Sequence, residues 1–187
     1  MIQTKTKALV ECSILLSLGV ALSFIIIWEM PMCGSITLAS MLPILLVGIK
    51  YSPKWSFGCA FAYSLFQLLQ AVMRGNVFVY CETWDVTVLC ALLDYILPFS
   101  ALGITAFAKK GKIYHYFTLA IAIRFVCHFL SGVLIWGQWA VNMSPTLYSL
   151  AYNGSFLLPE LLITFAVTGP LFEMKVIRKL LNLPSST

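Results

Sequence analysis

Charge is scarce in this chain: of its 187 residues only 10% are Asp, Glu, Lys or Arg, and just seven are acidic. A soluble domain needs a polar exterior, and a composition that is 60% hydrophobic leaves too little polar material to build one. The sequence also lacks a G-x-x-x-x-G-K-[ST] phosphate loop, which excludes ATP hydrolysis by that route. Any uphill transport must therefore draw on an ion gradient or another subunit. Catalytic signatures are missing too, with no H-E-x-x-H, no paired carboxylates and no Ser/His/Asp order. Six cysteines and two histidines form no C-x-x-C pair and no cluster at metal-ligand spacing, so no metal or other cofactor is expected. Repeats, linkers and low-complexity segments are likewise absent, and nothing suggests a nucleic-acid partner.

What is present is apolar sequence in long runs. A membrane-spanning helix needs about 20 mostly apolar residues. Six runs qualify: Ala8–Trp28, Ile36–Ile49, Trp55–Met73, Val86–Ala108, Tyr114–Trp136 and Thr146–Phe172. The reading is a single all-α integral membrane domain over residues 1–187, with six transmembrane helices in a lipid bilayer. The second run is short, which predicts a tilted, irregular or partial span, and Pro159 predicts a kink or break in the sixth. The first run exceeds a signal-peptide core and no A-x-A site follows it, so it reads as a retained span. Cys12, Cys59, Cys90 and Cys127 lie inside apolar runs and act as small hydrophobes. Cys33 and Cys81 fall between runs, and nothing in the sequence brings them together.

The basic residues are distributed unevenly. Lys5, Lys7, Lys50, Lys54, Lys109, Lys110, Lys112, Lys175, Arg178 and Lys179 all fall on one side of the six-span plan. The opposite loops hold Arg74 against Glu29, Glu82 and Asp85. Basic loops stay in the cytoplasm, which predicts a cell-membrane protein with both termini cytoplasmic.

Ionisable groups inside spans are costly and default to functional suspects. Four stand out: Asp94, Arg124, His128 and Glu160. At a helical rise of 1.5 Å per residue, Asp94 and His128 each lie roughly 12 Å below the extracellular ends of their spans. Arg124 and Glu160 lie deeper, at roughly 18 Å. One arrangement pairs Arg124 with Glu160 and leaves Asp94 and His128 for a ligand; the other pairs Asp94 with Arg124 as structure. Trp136, Trp139, Tyr148, Tyr152 and Asn153 gather near the upper level. A carboxylate, an imidazole, an amide and several aromatic faces suit a flat, cationic heteroaromatic ligand held by charge and cation–π attraction. Gln67, Gln70 and Arg74 share one helical face, as a pocket wall or as interhelical glue. Ser13, Ser17 and Ala21 form a stripe of small residues in the first span, suited to close helix approach or to a partner.

Four blocks then carry a resemblance: GSITLASMLPILLVGIKYS at Gly34–Ser52, LLDYILPFSALG at Leu92–Gly103, RFVCHFLSGVLIWGQWA at Arg124–Ala140 and YSLAYNGSFLLPE at Tyr148–Glu160. In order and in spacing the chain resembles the thiamine-specific substrate-binding (S) component of energy-coupling factor (ECF) transporters, the ThiT family. The resemblance implies an S-component bundle, high-affinity thiamine binding toward the extracellular side and no enzymatic activity. It also implies partners: a transmembrane coupling subunit and two cytoplasmic ATPases. By the same resemblance Asp94 faces the thiazolium, Asn153 meets the aminopyrimidine edge, and His128, Trp136, Tyr148 and Tyr95 complete the site. A family member has a stacking tryptophan where this chain has Gly34, so Trp139 or Trp84 would supply that ring. The docking motif A-x-x-x-A of the first helix reads Ser13 and Ser17 here.

Overall fold

The computed structural model describes residues 5–31, 34–74, 77–109 and 111–183. Among these described residues five helices are long and apolar enough to cross a membrane: α1 (Lys5–Ser23), α3 (Pro53–Arg74), α4 (Trp84–Phe107), α5 (Ile113–Leu134) and α6 (Pro145–Glu173). Between α1 and α3 lies a shorter helix, α2 (Leu42–Lys50), and a short α7 (Lys175–Leu181) follows α6. The outward faces carry exposed Leu, Val and Ile, such as Leu9, Val10 and Ile14 on α1, as expected where lipid replaces water. The fold is thus an all-α membrane bundle.

The first two predicted spans change shape. Helix α1 stops at Ser23 rather than Trp28, and Ile26–Glu29 becomes a strand, β1, paired antiparallel with β2 (Ser35–Thr37). The isoleucines and Trp28 favour a pleated surface, and an extra residue between Ile26 and Trp28 gives the hairpin a bulge. The second span continues from β2 through a turn in which Ala39 takes a left-handed φ of 52°. It then becomes α2, whose nine residues reach about 13 Å, less than half the hydrocarbon core. Leu42, Pro43, Ile44, Leu45, Val47 and Gly48 are buried, so α2 is apolar all round and sits inside the bundle. The space above its first turn is left for a cavity, with the hairpin over it. Cys33 and Lys110 lie outside the described residues.

Small residues bring α2 against its neighbours. A Cβ on Gly48 would stand 2.0 Å from Thr105 Oγ1 and 2.7 Å from the Ala106 backbone nitrogen. Thr105 Oγ1 donates across the gap to the Leu45 carbonyl at 3.0 Å, and Ser56 Oγ donates to the Gly103 carbonyl at 3.0 Å. At the Lys-rich end, Glu11 accepts from Lys50 and Tyr51, tying α1 to the end of α2. Glu11 is an ionisable residue inside the first span that the sequence reading passed over.

Helix α4 is irregular where it matters. Its middle, Ala91–Ile96, is a π-helical turn, and its end, Ala101–Phe107, is wound as a 3₁₀ helix. A proline ring clashes with the carbonyl four residues before it, which for Pro98 is that of Asp94. Widening the preceding turn relieves the clash, and the widened turn carries Asp94 and Tyr95. Helix α6 starts cleanly, with Ser144 Oγ accepting from Leu147 N–H at 3.2 Å and Pro145 at its first turn. It then runs unbroken through Pro159 to Glu173.

Candidate functional site

Asp94 is the hub of the site. Its Oδ2 accepts from Ser131 Oγ at 2.5 Å, Trp136 Nε1 at 3.0 Å and Cys90 Sγ at 3.5 Å, while Oδ1 meets His128 Nδ1 at 3.0 Å. The tautomer of His128 follows from its other neighbour. Arg124 Nε, which can only donate, lies 3.3 Å from His128 Nε2. Nε2 must therefore carry the lone pair, and Nδ1 carries the proton that it donates to Asp94. Arg124, four residues before His128, lies one turn away on the same face of α5.

Neither arrangement offered by the sequence is present. Arg124 pairs with neither Glu160 nor Asp94 directly. It reaches Asp94 through His128, its guanidinium lies 4.3 Å from the Phe99 ring centroid, and Nη1 rests against Met41 Sδ. Glu160 turns to the hairpin instead, where Oε1 accepts from Thr37 N–H at 2.5 Å and Thr37 Oγ1 at 2.7 Å. The physical reason is local on both sides. The end of β2 leaves a backbone donor that needs a buried acceptor, and the imidazole at i+4 offers Arg124 an acceptor on its own helix face.

Asn153 lies on the buried face of α6. Its Nδ2 donates to the His128 carbonyl at 3.1 Å, the Ser149 carbonyl at 2.9 Å and Ser149 Oγ at 3.1 Å. With the nitrogen so committed, Oδ1 is the atom left for a cavity partner. Gly132 allows this close contact of α5 with α6, since a Cβ there would stand 2.1 Å from Ser149 Oγ. Tyr148 and Tyr152 stack at 5.7 Å, and Tyr152 meets Phe156 edge-on at 5.9 Å. Tyr152 also fastens the hairpin: Gly34 N–H donates to its Oη at 3.0 Å, and Oη donates to the Pro31 carbonyl. A side chain at position 34 would collide with that hydroxyl, because a Cβ would stand 2.5 Å from it.

These groups enclose one cavity. Asp94, Tyr95, His128, Trp136, Tyr148, Asn153 and Gly34 all line it, together with Arg124, Tyr152 and Glu160. Gln67, Gln70 and Arg74 form its wall on α3. Ser23 Oγ donates to Gln70 Oε1 at 3.3 Å, and Arg74 bridges to Glu29 of β1 at 2.9 Å beside the mouth. Trp139 stands apart: it packs edge-on with Tyr80 at 6.0 Å and is not part of the cavity wall. Trp84 is 80% exposed and supplies no ring there either. Among the residues the sequence reading missed are Ser131 and Cys90, which bond Asp94, Phe99, whose ring lies against Arg124, and Thr37, which holds Glu160. A serine or threonine among apolar residues gives no sign of its partner. Ser13, Ser17 and Ala21 are all exposed on the outward face of α1, opposite the packed Cys12 and Gly19.

The sequence and the fold both have known counterparts. The chain is 29% identical over 182 residues to a protein named thiamine transporter ThiT from Bacillus subtilis (strain 168), covering 88% of this chain and 89% of that one. The fold matches the structure of ThiT from Listeria monocytogenes with a TM-score of 0.73 at 21% identity, covering 97% of this chain and 100% of that chain. The family described as Thiamine transporter protein (Thia_YuaJ) matches residues 9–179. With nearly its whole length matched, this multi-pass membrane chain belongs to the thiamine transporter family, a family of transporters and not of enzymes.

Proposed function

We propose that the chain is the substrate-binding (S) component of an ECF-type thiamine transporter and holds thiamine with high affinity in the cavity under the β1–β2 hairpin. The observation that carries this reading is the cavity wall: a carboxylate paired with no Lys or Arg among the described residues, an amide with one free oxygen, and six aromatic residues around one space. Asp94, held by neutral donors, keeps its charge for the thiazolium. Trp136, Tyr148 and Tyr95 offer faces to the two rings, and Asn153 Oδ1 accepts from the aminopyrimidine. His128 orients Asp94, and Gly34 lets the hairpin approach Tyr152 closely. Trp139 has no part in this site.

Transport by such a protein needs an energy source, and the chain has no nucleotide loop. The exposed stripe Ser13, Ser17 and Ala21 on α1 would let a coupling subunit's helix approach, with two ATPases behind it. The basic bias of the loops puts both termini in the cytoplasm and the hairpin and cavity toward the outside. Titration of the purified protein, read by tryptophan fluorescence, tests the reading. Thiamine is expected to quench Trp136 saturably, with riboflavin and biotin inert. An unchanged signal with thiamine, alongside unchanged thermal stability, would refute it, because a tight ligand at a thousandfold excess over its Kd stabilises by about 4 kcal/mol.

A further inference from the structure

Buried polar atoms in a folded protein are nearly always hydrogen-bonded, so an unmet one in a cavity wall describes the ligand that would meet it. Glu160 is 1% exposed and lines the cavity, yet only half of its carboxylate is engaged. Oε1 takes both donors of Thr37, while Oε2 has no hydrogen-bond partner. The cation expected to claim it, Arg124, is directed to His128, Met41 and the Phe99 ring. By contrast, Asp94 is held by four side chains. The amide nitrogens of Gln67 and Gln70, two residues of the same cavity wall, are also unmet, but they are donors, complementary to acceptors on a ligand.

Glu160 lies seven residues beyond Asn153 on the same buried face of α6, roughly 10 Å further from the first turn of the helix. That separation is about the length of a two-ring ligand, so one molecule can reach both residues. We propose that Glu160 is a second ligand-contacting carboxylate, its Oε2 accepting an N–H or O–H from the bound cation at the cavity floor while its Oε1 holds the end of β2. This rests on the thiamine-binding reading, since thiamine brings both kinds of donor, an amino group on the pyrimidine and a hydroxyl on the thiazolium arm. The same side chain then touches ligand and hairpin together, so an occupied cavity fixes the strand that covers it.

Glu160→Gln isolates the free atom. The amide oxygen still accepts from Thr37, and only Oε2 becomes a donor. The full chain, wild type and variant, is titrated with thiamine and with two analogues, one lacking the pyrimidine amino group and one lacking the arm hydroxyl. The variant is expected to bind thiamine about thirtyfold more weakly, as when a charge-assisted hydrogen bond gives way to two opposed donors. That penalty should vanish on one of the two analogues, and the ligand-free melting temperature should hold or rise. Thiamine affinity close to wild type, or an equal penalty on all three ligands, overturns the proposal. If Glu160→Gln does not fold, Glu160→Asp keeps the charge but withdraws the oxygen, and unchanged thiamine affinity there overturns it equally. Wild-type protein that binds no thiamine would instead refute the proposed function.

Discussion

Asp94→Asn is the most informative single change, because the structure fixes what each atom of the new amide must face. The side chain keeps one acceptor and gains an amide nitrogen. If that nitrogen replaces Oδ2 it faces the Trp136 indole N–H, which cannot accept; if it replaces Oδ1 it faces His128 Nδ1–H. His128 cannot escape by switching tautomer, since Arg124 requires a lone pair on Nε2. One buried donor is therefore stranded either way, at about 1–3 kcal/mol of stability. The ligand loses more. A cationic ring centre about 5 Å from the carboxylate gains roughly 3 kcal/mol from its charge at an effective dielectric constant of 20, a few hundredfold in Kd. Fluorescence titration of thiamine with the detergent-purified variant measures the loss, and thermal unfolding without ligand measures the stability cost separately. Affinity within about threefold of wild type, with the protein folded, would show that Asp94 supplies no charge to the ligand.

Tyr152→Phe removes the hydroxyl that holds Gly34 and Pro31, so thiamine should dissociate roughly tenfold faster in stopped-flow chase experiments with little change in association. Gly48→Ala should destabilise the ligand-free protein by about 2 kcal/mol in thermal unfolding, because the new methyl meets the α4 backbone at Ala106 N as well as the hydrogen-bonded Thr105 hydroxyl. Ser144→Ala removes the N-cap of α6 and should cost about 1 kcal/mol in the same assay, leaving thiamine affinity unchanged.

Hydropathy located α3 to α6 to within two residues at each end, because a lipid-facing helix must be apolar for its full length. It failed where backbone pairing, not hydrophobicity, decided the shape. Ile26, Ile27 and Trp28 suit a helix in lipid or a strand in a hairpin equally well, and only the contact with Ser35–Thr37 chooses. The shared level of Asp94 and His128 was legible from helical rise alone, and the two side chains meet at 3.0 Å. The partner of Arg124 was not, since depth along a helix axis says nothing about the direction in which a long side chain turns. Pro98 was the unused clue to the wide turn in α4. Its ring condemns the carbonyl of Asp94, which marks that position as irregular before any coordinates exist.

That wide turn has a consequence for how the helix can vary. A π-helical turn holds one residue more than an α-helical one, so the halves of α4 on either side of Asp94 are out of phase by about 100°. The apolar stripe of Trp84–Cys90 and that of Leu97–Phe107 therefore belong to two different registers. Deleting a single residue between them would remove the extra residue of the wide turn, bringing the Pro98 clash back and swinging one half's lipid-facing side chains into the bundle.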